Sequence, residues 1–175
     1  MSMITIYLAR HGQTEENLKR IFQGHLPGVL TEEGKRQAAE LGEALEDIEL
    51  DAVVSSDLRR VTDTVRIALG DRVLPWTTTP LLREIDWGSW TGQFLCSVDR
   101  KNPPADVETW EMLYQRAGKF LDFVRRNYSG KRVLAVAHGQ INKAVQAHLE
   151  QIPVEKLNAI PLMRNGEVRE FRLDE

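Results

Sequence analysis

The chain has four histidines, and two of them stand in the same local setting. His11 follows an apolar run at residues 3–9 and Arg10, and it precedes Gly12. His138 follows a second apolar run at 132–137 and precedes Gly139. A neutral imidazole, with an ordinary pKa of about 6.5, is a nucleophile near neutral pH. The arginine fork matches phosphate oxygens, and a phosphate dianion needs its charge offset before a nucleophile can approach. Two histidines with an arginine beside one of them therefore suit a metal-free pocket for phosphate chemistry. A single histidine of this kind reads better as a strand-end residue bonded to backbone. The repetition, with Arg10 beside the first, shifts the reading toward function.

Other chemistries fit worse. The histidines lack the short spacings of a zinc site, and only one cysteine is present. Gly34-Lys35, Gly118-Lys119 and Gly130-Lys131 are followed by Arg36, Phe120 and Arg132, not by the Ser or Thr of a phosphate-binding loop. A thiol phosphatase loop wants arginine six residues after its cysteine, and Asn102 stands there after Cys96. No dinucleotide-binding glycine fingerprint follows the first apolar run. The lone Cys96 cannot form an internal disulfide, which with the lack of a basic leader and apolar core predicts a reducing, cytoplasmic setting. Lys and Arg number 23 against 26 Asp and Glu, a net charge of −3, so the chain lacks the basic footprint of a nucleic-acid binder. No apolar run approaches the roughly 18 residues of a membrane span. The expected partner is a small phosphorylated molecule; oligomeric state is not legible.

These residues must be positioned by a fold. At 175 residues the chain is expected to be one domain, 1–175, and 42 % hydrophobic content argues against disorder. Short β-forming runs at 3–9, 51–55, 73–76 and 132–137 predict strands. Helices are predicted over 32–46 with Thr31 as cap, and over a segment carrying Leu58, Val61, Val65 and Leu69 with Ser56 or Asp57 as cap. Two more are predicted, one carrying the stripe from Trp110 to Val124 and one from Gly139 to about Leu149. Asn165-Gly166 predicts a hairpin turn between two closing strands. The alternation predicts an α/β domain, a mainly parallel sheet flanked by helices in three layers. Ligands bind beyond the carboxyl ends of such strands, where both histidines fall.

Further motifs accompany them. Leu8 to Thr14 is continued by Glu15 and Asn17; Gln23-Gly24 and Leu30-Thr31 with Gly34 and Gln37-Ala38 follow. Then come Ser56, Leu58 and Arg60; Leu82 through Gly88 around Glu84; Trp90 and Gly92; and Ala137-His138-Gly139. In this order, over nearly the whole chain, the set closely resembles the histidine phosphatase superfamily in its phosphoglycerate mutase-like branch. The resemblance implies that fold, and a two-step transfer without metal or cofactor. His11 would become a phosphohistidine. Arg10, Arg60 and His138 would bind the phosphoryl oxygens, and Glu84 would protonate the leaving oxygen and then activate water. Asn17, Gln23, Gly24 and Gly139 are further candidates for phosphate binding, though the first three also read as loop-shaping. Arg59 lies about 100° round the helix from Arg60, so only one can face inward, and the motif selects Arg60. Trp87, Trp90 and Trp110 are expected to pack, and His25 and His148 to be structural or surface residues.

The chain departs from the family pattern toward the substrate end. Pro27 and Val29 stand where the pattern differs, Val107-Glu108-Thr109 replaces a Gly-Glu-Ser segment with Arg116 at the later spacing, and Lys143 holds a usually arginine-like position. The short stretch between Gly92 and Trp110 predicts a short cap around 93–109, with Arg100 and Lys101 either a reduced basic subsite or surface. A short cap admits water, which a mutase must exclude. The expectation is therefore a metal-independent phosphomonoesterase acting on a small phosphorylated metabolite. The alternatives are a cofactor-dependent phosphoglycerate mutase and a non-catalytic binding protein of the same fold.

Overall fold

The computed structural model describes residues 2–175. Side chains alternate across a strand, so a run that is apolar at every position needs cover on both faces. Strand β1 (Met3–Arg10) turns Ile4, Ile6 and Leu8 to one side of the sheet and Tyr7 and Ala9 to the other. Further along the chain lie α1 (Glu15–Lys19), α2 (Glu32–Ala44), β2 (Ala52–Ser56), α3 (Arg59–Leu69), β3 (Trp76–Thr79) and α4 (Trp110–Asn127). They are followed by β4 (Arg132–Ala137), α5 (Gly139–Leu149) and β5 (Val168–Asp174). The sheet order is β3-β2-β4-β1-β5; the first four strands are parallel and β5 runs antiparallel to β1. Helices α2 and α3 cover one face through Leu41, Val61 and Val65, against Leu134 and Val136. Helices α4 and α5 cover the other with Leu113, Phe120, Ile141 and Val145, against Val133 and Ala135. The α/β architecture with a mainly parallel sheet is the one its alternating runs predict.

Pairing of β1 with β4 places Arg10 opposite Ala137, so His11 and His138 leave the sheet side by side. Thr31 caps α2 by accepting from the Gly34 N–H at 2.9 Å, and the helix ends at Ala44, two residues short of expectation. None of the described helices is long and apolar enough to cross a membrane.

Three expectations need correction. The third strand is Trp76–Thr79, not 73–76, and Val73 is 94 % exposed. Pairing with β2 runs from Val53↔Trp76 to Ser56↔Thr79, so three threonines supply the β-forming side chains that an apolar-run rule passes over. Neither Ser56 nor Asp57 caps α3, whose N-cap is Leu58 without a side-chain bond. Ser56 is held by His138, and Asp57 takes a two-pronged bond from Arg83 at 2.8 and 2.7 Å. Finally, Asn165-Gly166 turns the chain into β5 but joins no hairpin, because the segment before it holds a 3-10 helix (Val154–Ala159). The turn is tied instead to the end of β1, with the Gly166 N–H donating to the Arg10 and His11 carbonyls.

Candidate active site

Both histidine rings are buried, His11 at 2 % and His138 at 0 % exposure, with centroids 5.2 Å apart and planes at 65°. His11 Nδ1 lies 2.6 Å from the Gly12 carbonyl. A carbonyl only accepts, so this bond assigns the proton to Nδ1 and the lone pair to Nε2. Ser56 Oγ accepts from the Leu58 N–H at 3.2 Å and lies 2.8 Å from His138 Nε2. Donation of the hydroxyl to Nε2 leaves the proton of His138 on Nδ1, a buried atom with no partner in the protein. The turn after His11 is packed so closely that a β-carbon on Gly12 would lie 2.2 Å from the Gly34 oxygen. One on Gly139 would meet Leu162 at 2.8 Å and the Arg10 guanidinium carbon at 3.4 Å, so Gly139 leaves room for Arg10 to lie across α5.

Two arginines flank the rings. Arg10 Nη1 donates to the Met163 carbonyl at 2.6 Å. Arg60, 1 % exposed, donates from Nη2 to the Gly24 carbonyl at 2.8 Å and from Nη1 to the Leu26 carbonyl. The Nε of each is buried and unpartnered. Arg59, by contrast, points outward to Asp63. Burial draws both guanidinium groups down, Arg60 to about 10, yet each stays charged at neutral pH. Burial and then these cations hold the His11 and His138 rings well below the usual histidine range, so both are neutral at pH 7.

Glu84 reaches the same place from the loop between β3 and α4. Its carboxylate accepts from the N–H groups of Gln140 and Ile141 at the start of α5, at 3.0–3.1 Å, and from its neighbour Ile85 at 2.9 Å. The segment is held by its backbone. Arg116 donates to the carbonyls of Leu81, Arg83 and Glu84 and grips the Glu108 carboxylate with two bonds at 3.0 and 2.9 Å. His25 Nε2 lies 2.9 Å from the Glu84 carbonyl.

The remaining candidates sit one layer out. Asn17 Oδ1 accepts from Thr14 N–H and Oγ1, closing a capping box on α1. Gln23 Oε1 accepts from Thr14 Oγ1, and Gly24 contributes its carbonyl to Arg60. The structure thus brings His11, His138, Arg10, Arg60 and Glu84 together, with Gly139 beneath Arg10, and gives Asn17, Gln23 and Gly24 scaffolding contacts. Among the described residues no group of three or more His, Cys, Asp or Glu is placed to hold a metal. Residues that sequence reasoning passed over are Asn165, whose Nδ2 donates to the His11 carbonyl at 3.1 Å, and Thr64, whose Oγ1 accepts from the Gly12 N–H. His25 gains a site-supporting role that its spacing does not announce, and Arg116, noted for its spacing after Val107-Glu108-Thr109, is the clamp on that segment's Glu108. His148 stacks on Tyr114 and bonds its carbonyl, away from the site.

Next to this cluster a cavity of about 560 Å³ opens, reached through Ile85 and Gln140, the neighbours of Glu84, and lined by none of the five clustered residues themselves. Phe22, Trp87, Trp90 and Trp110 form an aromatic cluster along it, so these tryptophans both pack and line a cavity. Residues from Leu95 to Val107 complete the wall, with Arg100 over the Phe22 ring at 5.6 Å.

A neutral, oriented imidazole beside two buried arginines, with a carboxylate alongside, is an arrangement suited to phosphoryl transfer. The chain belongs to the histidine phosphatase superfamily (branch 1), which matches residues 6–175. It is 29 % identical to the adenosylcobalamin/α-ribazole phosphatase of Escherichia coli, over 87 % of this chain and 82 % of that one. It is 33 % identical to the glucosyl-3-phosphoglycerate phosphatase of Mycolicibacterium vanbaalenii, over 95 % and 83 %. The solved structure of Bacillus stearothermophilus YhfR superposes with a TM-score of 0.88 at 32 % identity, covering 95 % of this chain and 90 % of that one. Phosphoric monoester hydrolysis is the activity these named phosphatase relatives support for the chain, as the motif order implies.

Proposed function

We propose that the chain hydrolyses the phosphomonoester of a small metabolite through a phosphohistidine at His11, without a metal. The observation that carries this reading is a set of buried nitrogens, Arg10 Nε, Arg60 Nε and His138 Nδ1, that have no partner in the protein and surround the nucleophile. Buried donors of this kind are costly unless satisfied, and phosphoryl oxygens satisfy all three.

In the first step His11 Nε2 bonds to phosphorus as the ester P–O bond breaks. The leaving oxygen takes a proton from Glu84. In the second, water attacks phosphorus, its proton passes to Glu84, and the N–P bond breaks to release phosphate and the neutral imidazole. Glu84 starts on the N-terminus of α5, so it leaves that seat to reach the ester oxygen. The proton that Glu84 donates enters with the substrate, whose phosphate monoanion passes it to the carboxylate as the dianion settles among Arg10, Arg60 and His138; two anions are disfavoured side by side, and the neutral carboxyl leaves the helix end. Arg10, Arg60 and His138 are already oriented and stabilise the charge of the transferring group.

The phosphoester compounds named for the relatives, α-ribazole and glucosyl-3-phosphoglycerate substrates, carry leaving groups of a size that the 560 Å³ cavity admits. The short 93–109 segment leaves that cavity open to water, which favours hydrolysis over a mutase cycle. The deciding experiment incubates wild type and His11→Ala with p-nitrophenyl phosphate and, separately, with 3-phosphoglycerate in the presence and absence of 2,3-bisphosphoglycerate. Phosphate release that disappears in the variant is expected. Cofactor-dependent 2-phosphoglycerate without phosphate release overturns the reading in favour of a mutase.

A further inference from the structure

Lys143 stands out in the cavity next to Glu84. It is 8 % exposed, lies on α5 three residues after Gln140, and therefore shares that residue's face of the helix; both line the cavity. Among the described residues it makes no ion pair and no side-chain hydrogen bond. Glu84 is the carboxylate that acts on it electrostatically, but both Glu84 oxygens are taken by backbone N–H groups. The other charged groups of the cavity do not serve it either. Glu108 is gripped by Arg116, Arg100 lies over Phe22, and Glu111 is exposed on the first turn of α4. Gln140 Oε1, on the same face, is buried without a partner.

A lysine whose task is only to pack its stem carries its ammonium out to water. This one lines an aromatic-walled cavity, and partial burial draws its pKa below the ordinary lysine value. A partly desolvated cation without an anion is costly in the free protein and is retained where a ligand supplies the anion. We propose that Lys143 is a specificity-determining residue whose ammonium binds an anionic oxygen on the leaving group. The preferred substrate is then a phosphomonoester whose leaving group lies against Trp87, Trp90 and Trp110 and carries a negative charge of its own. The aromatic walls suit a planar or sugar-like face, and Gln140 offers its amide oxygen to a donor on the same group. This inference rests on the phosphatase reading for which group is the leaving group.

The test measures binding, so it does not depend on turnover. Dissociation constants are determined for benzylphosphonate and its ortho-, meta- and para-carboxy derivatives, which carry a phosphoryl-like anion on a non-hydrolysable link. Wild type is expected to prefer at least one carboxy isomer by about 10- to 100-fold, the range of one charge-assisted hydrogen bond. Lys143→Met is expected to bring that ratio near one, Lys143→Gln to do the same, and Lys143→Arg to keep it. Removing an unpaired, partly desolvated charge is also expected to leave Tm unchanged or raised, whereas loss of a structural contact lowers it. Absence of any preference in wild type, or a preference that survives both neutral variants, overturns the proposal. If His11-dependent phosphate release stands while the ratio fails, only Lys143 loses its role; if release and phosphohistidine are absent while the ratio holds, the anion site stands and the hydrolytic reading falls.

Discussion

The neutrality of His11 and His138 has a consequence for stability that can be worked out. Both rings are buried beside Arg10 and Arg60, and both are held well below the usual histidine range by burial first and those cations second. In the unfolded chain each titrates near about 6.5. Protons therefore bind the unfolded chain more tightly than the native one, and acid favours unfolding. The contribution is complete above the unfolded value and is lost as pH falls below it toward the depressed native value. At pH 5.5 each unfolded histidine is about 90 % protonated, which destabilises the fold by on the order of 1 kcal/mol per ring that stays neutral in the native state, whereas at pH 7.5 the effect is negligible. The two together predict a loss of a few kcal/mol at most between pH 7.5 and 5.5, a sizeable part of a typical stability of about 5–15 kcal/mol. Carboxylates held low by arginines, such as Asp57 beside Arg83, lose their contribution only below about pH 4.5, outside this window. Urea denaturation at the two pH values measures the step. The His11→Asn/His138→Asn double variant keeps every other titrating group and is expected to lose the step. An equal step in wild type and double variant refutes the assignment of two neutral buried imidazoles. Inorganic phosphate, whose charge offsets the site's cations, is expected to shrink the wild-type step.

Glu84→Gln is expected to slow hydrolysis of an alkyl phosphate by about 10²–10⁴-fold and of p-nitrophenyl phosphate far less, because poor leaving groups need the proton most; equal losses count against Glu84 as the acid. Arg116→Met strands the nearly buried Glu108 carboxylate and three carbonyls of the acid loop, and is expected to cost about 3–5 kcal/mol in urea denaturation, with less than 1 kcal/mol showing that the clamp is dispensable. Gly12→Ala forces a β-carbon toward the Gly34 oxygen, so a Tm loss matching about 1–3 kcal/mol or more, with reduced turnover, is expected; wild-type values for both overturn the packing argument. EDTA is expected to leave turnover unchanged, since Arg10 and Arg60 supply the positive charge that a metal otherwise provides, and inhibition by EDTA sinks that account.

The central strands were readable because burial on both faces writes itself as an unbroken apolar run, as in β1 and β4. The edge strand β3 was not, because its pairing with β2 is met by three threonines while the adjacent Val73 faces water. His11, His138 and Arg10 were legible because each sits at a strand end, whereas Arg60, on the first turn of α3, was singled out only by the family motif. What holds them was not. Ser56 reads equally well as a helix cap and as the partner of His138, and only the adjacency of β2 and β4 decides between them. Asn165 bonds the His11 carbonyl across 154 residues of sequence, and Thr64 accepts from the Gly12 N–H across 52. Such contacts have no period and no local motif. The same reason separates the two halves of the site. Phosphoryl binding uses groups fixed to strand and helix ends, so it recurs as motifs, whereas the leaving group is met by Trp87, Trp90, Trp110 and Lys143, brought together only by packing of the 80–109 segment on α4 and α5. Selectivity is therefore expected to change by substitution along that wall without disturbing His11, and Lys143 is the position where a single charge has the most to decide.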